Sequence, residues 1–338
     1  MIKIDLITGF LGSGKTTFIR KYASYLLEQG MNIGILENDF GAVNVDSMLL
    51  QDILGEHCTL ESVAGGCDAD CHRRRFKTKL IAMGMCGYDR ILVEPSGIFD
   101  MDEFFDVLHE EPLDRWYEPG SVITIVDATL ELNLSPASGY ILASQVAQAG
   151  CLLYSHVQEV SADRLTAVAA YINEQLTQLH CPRDLAAITL QKDWSALESA
   201  DFQRILSAGY HPADYPKRWL DQQKTYESLY FMNRSFTPDT LQDICTKLLK
   251  DPACGKVFRI KGFQQLPDQR WISINATHQG IQMESIPNGQ AILIVIGEGL
   301  RQDAIEAYFS SSISVPTGSK GSTINHNMLQ PLPDHSPW

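Results

Sequence analysis

Residues 9–17 are Gly-Phe-Leu-Gly-Ser-Gly-Lys-Thr-Thr, which fits the pattern G-x-x-x-x-G-K-[S/T] of a phosphate-binding loop. The β-branched apolar run at residues 2–7 predicts a buried strand before the loop. Apolar side chains at helical spacing predict a helix over residues 18–29, and Gly30 is a typical helix stop. A glycine-rich turn that binds nothing is the alternative, and both flanking elements argue against it. We therefore predict that the chain binds a nucleoside triphosphate.

The loop residues have distinct expected contacts. Glycines let backbone N–H groups turn towards phosphate oxygens, and the helix N-terminus adds a partial positive charge. Lys15 would reach the β- and γ-phosphates, and the Thr16 hydroxyl would ligate Mg²⁺. The predicted nucleotide contacts in this loop are Gly9, Gly12, Ser13, Gly14, Lys15, Thr16 and Thr17.

Composition limits the class of protein. A length of 338 residues suggests two domains, and the formal net charge of −14 argues against nucleic acid or anionic membrane as the main partner. No apolar run approaches the roughly 20 residues of a membrane span, and we expect no signal peptide before the first strand. Eight scattered cysteines favour free thiols or metal ligands in a reducing compartment over a disulfide framework. We therefore expect a cytoplasmic protein.

Strands and helices alternate along the first part of the chain. Because the strands are continuous apolar runs, the pattern predicts an α/β fold with a doubly wound, mostly parallel sheet and phosphate at the carboxyl ends of its strands. Besides residues 2–7, the predicted strands are 31–36, 59–63 at an edge, 90–93, 122–127, 151–154 and 185–190. The predicted helices, besides 18–29, are 73–85, 101–109, 137–149 and 162–179.

A change of composition near residues 209–224 marks a domain boundary. We predict a phosphate-loop domain over 1–210, a linker over 211–224, a smaller α+β domain over 225–310 and a loosely held tail over 311–338. The second domain has predicted strands at 228–235, 257–263, 271–275 and 292–296, and predicted helices at 238–249 and 303–309.

Residues 94–97, Glu-Pro-Ser-Gly, end an apolar strand where a magnesium-binding carboxylate is expected. Glu94 would hold Mg²⁺ through water, and the Gly97 amide would sense the γ-phosphate. The second strand ends at a polar segment with Asp39, which begins a plausible switch. Asp39 and Glu94 would stand near the metal or the attacking water. A plain polar turn after residue 93 is the alternative, and the loop at 9–17 favours the functional interpretation.

Cys67, Cys71 and His72 form a metal-like cluster. The two cysteines are four residues apart and share a face if the segment is helical, and thiolate with imidazole suits Zn²⁺ or another borderline metal. The spacing C-x-x-x-C-H is not a standard zinc spacing. A loop with two incidental thiols is therefore the competing interpretation.

These motifs together resemble the CobW-type P-loop GTPases, relatives of the nickel chaperones UreG and HypB. The resemblance runs to about residue 310 and implies GTP-dependent delivery of a metal ion, often Zn²⁺ or Co²⁺, to a client metalloprotein or cofactor pathway. The matching segments are 9–17, 36–41, 66–67, 93–97, 126–128, 144–146, 257–263 and 296–297.

The sequence departs from this family in two places. Only Cys67 keeps its place in the family's Cys-x-Cys-Cys, and Cys71 is displaced by one residue. The family recognises guanine with Asn/Thr-Lys-x-Asp after a strand, whereas this chain has Ser-His-Val-Gln at 155–158. Gln158 carries no charge and accepts hydrogen bonds more weakly than Asp, while His156 could stack on a base. Guanine preference, indifference and adenine preference all stay open.

Three functions follow from these features. The first is a GTP- or ATP-switched metallochaperone with slow hydrolysis, whose cargo is held by Cys67, Cys71 and His72. The second is a redox or corrinoid-protein activase, a homodimer that shares an iron–sulfur cluster through Cys67 and Cys71 of each subunit. The third is a regulator that binds nucleotide without turnover. Visible absorbance and a turnover assay distinguish them.

Overall fold

The computed structural model describes residues 1–39, 46–64, 69–97, 101–213, 215, 227–266, 268–278, 280–287 and 289–310. At residues 39, 46–49, 64, 69–70 and 102–103 only the backbone is described. Within these ranges, no helix is long and apolar enough to cross a membrane.

Seven parallel strands form the first sheet, in the order β3-β2-β4-β1-β5-β6-β7. The predicted doubly wound sheet and the predicted edge position of the third strand are both confirmed. The strands are β1 (Ile2–Gly9), β2 (Ile33–Asp39), β3 (Cys58–Ala64), β4 (Arg90–Pro95), β5 (Tyr117–Asp127), β6 (Cys151–Ser155) and β7 (Thr189–Leu190). The helices are α1 (Lys15–Glu28), α2 (Ala69–Met83), α3 (Met101–Leu108), α4 (Leu113–Trp116), α5 (Pro136–Ala147), α6 (Ala162–Gln178) and α7 (Ser199–Leu206).

Helices cover both faces of this sheet. Phe18, Tyr22 and Leu26 of α1 are fully buried and pack with α7 and one face of the strands. Residues of α2 and α3 pack on the opposite face, and α5 and α6 cover the β5–β6 half. A strand buried on both faces loses the polar–apolar alternation of a half-exposed strand, which is why these segments are continuous apolar runs.

The last predicted strand of this sheet is largely wrong. Of residues 185–190 only Thr189–Leu190 pair with β6, and Ala186–Ile188 form a turn of 3₁₀ helix. The Asp184 carboxylate accepts from the backbone N–H of Ala186, and Leu185 O accepts from the Thr189 hydroxyl. These local side-chain bonds favour a turn over an extended ladder.

The second sheet has five antiparallel strands in the order β11-β10-β9-β12-β8. Its strands are β8 (Glu227–Met232), β9 (Lys256–Gln265), β10 (Trp271–Thr277), β11 (Gly280–Ile286) and β12 (Ile292–Glu298), and two helices, α8 (Pro238–Leu248) and α9 (Gln302–Ser310), pack with it. Strand β11 was not predicted from the sequence, because it lies at an edge and is mostly exposed. The predicted strand 228–235 ends early, where Asn233 takes a left-handed conformation. The described residues do not include 216–224 of the predicted linker or the two residues after it, 225–226. They also do not include the predicted tail at 311–338.

A buried ion pair lies away from the carboxyl ends of the strands. Arg90 Nη1 donates to both oxygens of the Asp5 carboxylate, at 2.5 and 2.7 Å. The Tyr22 hydroxyl and the Ser121 N–H also donate to Asp5, which has no exposed surface. Burial raises the pKa of Asp5, while the Arg90 charge opposes that rise. The pair joins β1, β4, β5 and α1.

The second sheet is seated directly on the phosphate loop. The rings of Phe10 and Phe258 meet edge to face with centroids 5.8 Å apart. The Glu298 carboxylate accepts from the hydroxyls of Ser135 and Ser138 at the start of α5, at 2.7 and 2.6 Å. The loop and the second sheet therefore share a packed boundary.

Candidate functional site

The phosphate loop joins β1 to α1, and α1 begins at Lys15 inside the motif rather than after it. Gly14 is the N-cap, with φ of 98°, a conformation that residues with a Cβ rarely adopt. Because glycine has no side chain, it cannot cap the first N–H groups of the helix, and the first turn holds no acidic residue. A first turn that receives no side-chain cap from Gly14, together with the positive end of the helix dipole, fits an anion.

Lys15 is 8% exposed, and its Nζ donates to Gly9 O at 3.1 Å. The long side chain thus folds back along its own loop. A phosphate chain bound inside the loop would lie within reach of the Lys15 ammonium group. The remaining predicted loop contacts, Gly9, Gly12, Ser13 and Thr17, lie in the segment from the end of β1 to the first turn of α1.

The structure brings Thr16 and Glu94 together from positions 78 residues apart. The Thr16 hydroxyl donates to Glu94 Oε1 at 2.8 Å, and both side chains are buried. They meet because β1 and β4 are neighbours in the sheet and both end at this edge. A hydroxyl and a carboxylate are hard oxygen ligands, so this pair fits Mg²⁺.

Gly97, which the sequence predicts as a γ-phosphate sensor, lies against the phosphate loop. A Cβ at this residue would lie 2.8 Å from Leu11 N, so the approach requires glycine. Gln145 Nε2 donates to Gly97 O at 3.0 Å. The neighbouring Ser96 N–H donates to Asn38 O at 2.8 Å and links the ends of β4 and β2.

Glu37 is a second buried carboxylate at this edge, and it was not predicted from the sequence as a site residue. It is 3% exposed and stands opposite Glu94 in the register of β2 and β4. Paired residues of a parallel ladder project to the same face. The predicted Asp39 ends β2, and its side chain is outside the described residues. One signal in the sequence could have indicated Glu37. It lies two residues before Asp39, and residues two apart on a strand share a face.

The segment predicted to recognise the base follows β6. His156 takes a left-handed conformation, and its Nδ1 lies 3.2 Å from Asp127 Oδ1. The hydrogen bond to Asp127 raises the pKa of His156, so the imidazolium persists to higher pH than in a free histidine. Asp127 is held by the N–H and hydroxyl of Thr129. Gln158 is exposed on a single 3₁₀ turn.

The predicted metal cluster is only partly described. Helix α2 carries Cys71, which is half-buried, and His72, which is fully buried. Cys67 lies outside the described residues. Across the described chain, no group of three or more His, Cys, Asp or Glu residues is placed to hold a metal ion. The set of Cys67, Cys71 and His72 stays a prediction.

Two family descriptions match the chain. Residues 3–181 match "CobW/HypB/UreG, nucleotide-binding domain". Residues 228–313 match "Cobalamin synthesis protein cobW C-terminal domain". The first match spans the first sheet from β1 to β6 and ends before β7, and the second spans the second sheet.

Individual proteins are similar as well. The zinc chaperone YeiR of Escherichia coli is 30% identical over 281 residues, which cover 79% of this chain and 84% of YeiR. The zinc chaperone YjiA of Escherichia coli is 31% identical over 137 residues, 38% of this chain and 41% of YjiA. The crystal structure of Zn(II)-bound YjiA GTPase from Escherichia coli aligns with 92% of this chain and 99% of its own at 20% identity and a TM-score of 0.36.

Proposed function

Because the chain belongs to the CobW/HypB/UreG family, we propose that it is a nucleotide-dependent metallochaperone that binds GTP, hydrolyses it slowly and transfers a divalent transition metal to a client protein. The Thr16–Glu94 contact beside the buried Lys15 is the observation that carries the nucleotide half of this proposal. The names of YeiR and YjiA as zinc chaperones support Zn²⁺ as cargo. Co²⁺ is a further candidate from the family resemblance.

Phosphate binding would use groups that already converge. The Lys15 ammonium and the N–H groups of the first turn of α1 would contact the phosphates, and Thr16 and Glu94 would hold Mg²⁺ directly or through water. When bound, Mg²⁺ supplies positive charge to the β- and γ-oxygens. Asp39 and Glu94 would orient the attacking water. Slow turnover fits a protein whose nucleotide acts as a switch.

The switch would pass from nucleotide to metal through linked loops. Gly97 touches the phosphate loop, and Ser96 donates to Asn38 at the end of β2. Strand β3, which precedes Cys67, pairs with β2 in register. A change at the γ-phosphate would therefore reach β2 and β3, the strand that precedes Cys67. Movement of such loops on hydrolysis is a common device in nucleotide switches.

The metal prediction follows from this linkage. We expect Zn²⁺ or Co²⁺ to bind more tightly with Mg²⁺ and a non-hydrolysable triphosphate than with diphosphate, by about 5- to 150-fold. Changing both Cys67 and Cys71 to serine should remove the difference and leave nucleotide binding largely intact. Cys86→Ser is the matched control, because that thiol is exposed just beyond α2. Titration of the ion in both nucleotide states measures the effect, and equal affinity in the two states would leave no metal switch.

Base preference is a separate prediction. An exposed, neutral Gln158 forms a weaker bond to guanine than a carboxylate would, so we expect GTP to be preferred over ATP by no more than roughly a hundredfold. Gln158→Asp should increase that preference, whereas Gln178→Asp, on the exposed end of α6, should not. Competition binding of the two nucleotides gives the ratio. Rejection of ATP by several thousandfold in the wild type would show that another residue recognises the base.

A further inference from the structure

The two ends of the phosphate loop face different surroundings. On the side of β4 stand Glu94, in contact with Thr16, and Gly97, in contact with Leu11. Thr16 and Glu94 would hold Mg²⁺, whose charge would offset that of the terminal phosphates, so this side would take the terminal end of a triphosphate. The α-phosphate and its nucleoside would then lie on the opposite side of the loop, near the ends of β6 and β7. The residues on that side would therefore form the contacts with the nucleoside.

Trp194 stands at this second side. It follows β7 in a short 3₁₀ turn, Trp194–Ala196, and is half-buried. Its outer ring carbons lie 3.2 and 3.5 Å from where a Cβ of Gly14 would be. The ring also meets Phe18 of α1 edge to face, with centroids 5.5 Å apart. The indole therefore borders the point where the phosphate loop becomes the helix.

The indole is held in one orientation. Trp194 Nε1 donates to Tyr154 O at 2.8 Å, directly before the segment 155–158. The Asp193 carboxylate accepts from the N–H and hydroxyl of Ser195, and these bonds lower the pKa of Asp193. Lys192 forms an ion pair with Asp201 at the start of α7. An aromatic ring fixed before a ligand arrives loses little entropy when one stacks on it.

Ser155 adds an independent observation. Its side chain is 3% exposed, and its Cβ lies 3.9 Å from where a Cβ of Gly14 would be. The Ser155 hydroxyl has no hydrogen-bond partner among the residues that the structure describes. Buried hydroxyls are normally bonded, so this group is ready to bond a ligand or a loop that shifts on binding. It stands beside Gly14, as Trp194 does.

We propose that Trp194 forms a wall of the nucleoside pocket and that stacking on its ring supplies affinity that the chain lacks at Gln158. This inference rests on the proposed nucleotide binding. Every base has a π-face, so stacking tolerates guanine and adenine alike, whereas a carboxylate would favour guanine. The occupant is the nucleoside half of a purine nucleotide.

The test compares a complete nucleotide with its phosphate chain alone. Binding of GDP, ADP and inorganic tripolyphosphate, each with Mg²⁺, is measured by calorimetry for the wild type, Trp194→Leu and Trp194→Phe. We expect Trp194→Leu to weaken GDP and ADP by about 5- to 150-fold and to leave tripolyphosphate unchanged, and Trp194→Phe to retain most of the affinity. Trp271→Leu is the control, because Trp271 starts β10, at the opposite end of that strand from Thr277 beside Gly12.

Fluorescence gives a second measurement in variants that keep an aromatic ring. Addition of GDP should change the tryptophan emission of the wild type and of Trp271→Phe, and this change should be lost in Trp194→Phe. If Trp194→Leu lowers the affinities for GDP and tripolyphosphate equally, Trp194 acts by stabilising the phosphate loop, and the proposal is overturned. Unchanged GDP affinity in that variant, or a fluorescence response that persists in Trp194→Phe, would overturn it too. Wild-type protein that binds neither GDP nor tripolyphosphate would instead refute the proposed function itself.

Discussion

Replacing Lys15 with alanine should abolish hydrolysis and weaken triphosphate binding by about 2–5 kcal/mol while the protein stays folded. The Lys15 ammonium is buried and donates to Gly9 O within its own loop, where we propose that the phosphates bind. Its loss removes a charge-assisted contact, and that contact gains strength where water is excluded. Nucleotide affinity by calorimetry and phosphate release under saturating nucleotide measure the two effects.

The control for this experiment is Lys3→Ala. Lys3 lies on β1, the strand that leads into the phosphate loop, but its side chain is 42% exposed and pairs with Glu118 at the surface. Both variants remove one positive charge, so only the place of the charge differs. Full turnover in a folded Lys15→Ala protein would refute the assignment of residues 9–17 as a phosphate loop.

The largest stability effect should come from Arg90→Met. This change leaves the Asp5 carboxylate buried without its guanidinium, and breaking one side of a buried pair costs about 3–5 kcal/mol. Urea unfolding followed by circular dichroism should show the loss of unfolding free energy. Arg115→Met is the control, because the Arg115–Glu111 pair is 70% and 74% exposed and should contribute at most about 1 kcal/mol.

The pH dependence of this variant gives a further check on the same pair. Burial raises the pKa of Asp5, and the Arg90 charge lowers it. Without Arg90, the folded-state pKa of Asp5 therefore rises further. A carboxyl whose pKa is raised on folding binds its proton more tightly in the folded state, so its contribution to stability falls as pH rises. The deficit of Arg90→Met should therefore shrink as pH is lowered. A deficit that grows at low pH would contradict an unpaired Asp5.

Local patterns predicted most of the first sheet. Residues 2–17 combine an apolar run, a glycine loop and a helical period within one short segment, and each of these signals depends only on near neighbours. The contact of Thr16 with Glu94 was also predictable, because parallel strands place their carboxyl ends at one edge. The failures were β7 and β11. Side-chain bonds of Asp184 and Thr189 favoured a turn in the first case, and an exposed edge gave little apolar signal in the second.

The parts of the site that the sequence did not reveal depend on long-range packing. Trp194 touches Gly14 across nearly the whole stretch of chain that forms the first sheet, and no spacing rule relates the two residues. Phe258 reaches Phe10 from the second sheet. Glu37 directly follows the predicted strand 31–36, and its place opposite Glu94 depends on the pairing register of β2 and β4. Such neighbours come from topology and register, and a single sequence does not encode them in a local pattern.

The seat of the second sheet on the phosphate loop bears on how this protein can be taken apart and recombined. Phe10 is 5% exposed and packs edge to face with Phe258, so a chain shortened after the first sheet would lose part of the cover over an aromatic ring in the phosphate loop. Ser135 and Ser138 would likewise lose the carboxylate of Glu298. An engineer who grafts the second sheet of a relative onto this chain must therefore carry over the partners at 10, 135 and 138 together with those at 258 and 298. The residues on both sides of the boundary between the sheets therefore have to be exchanged together.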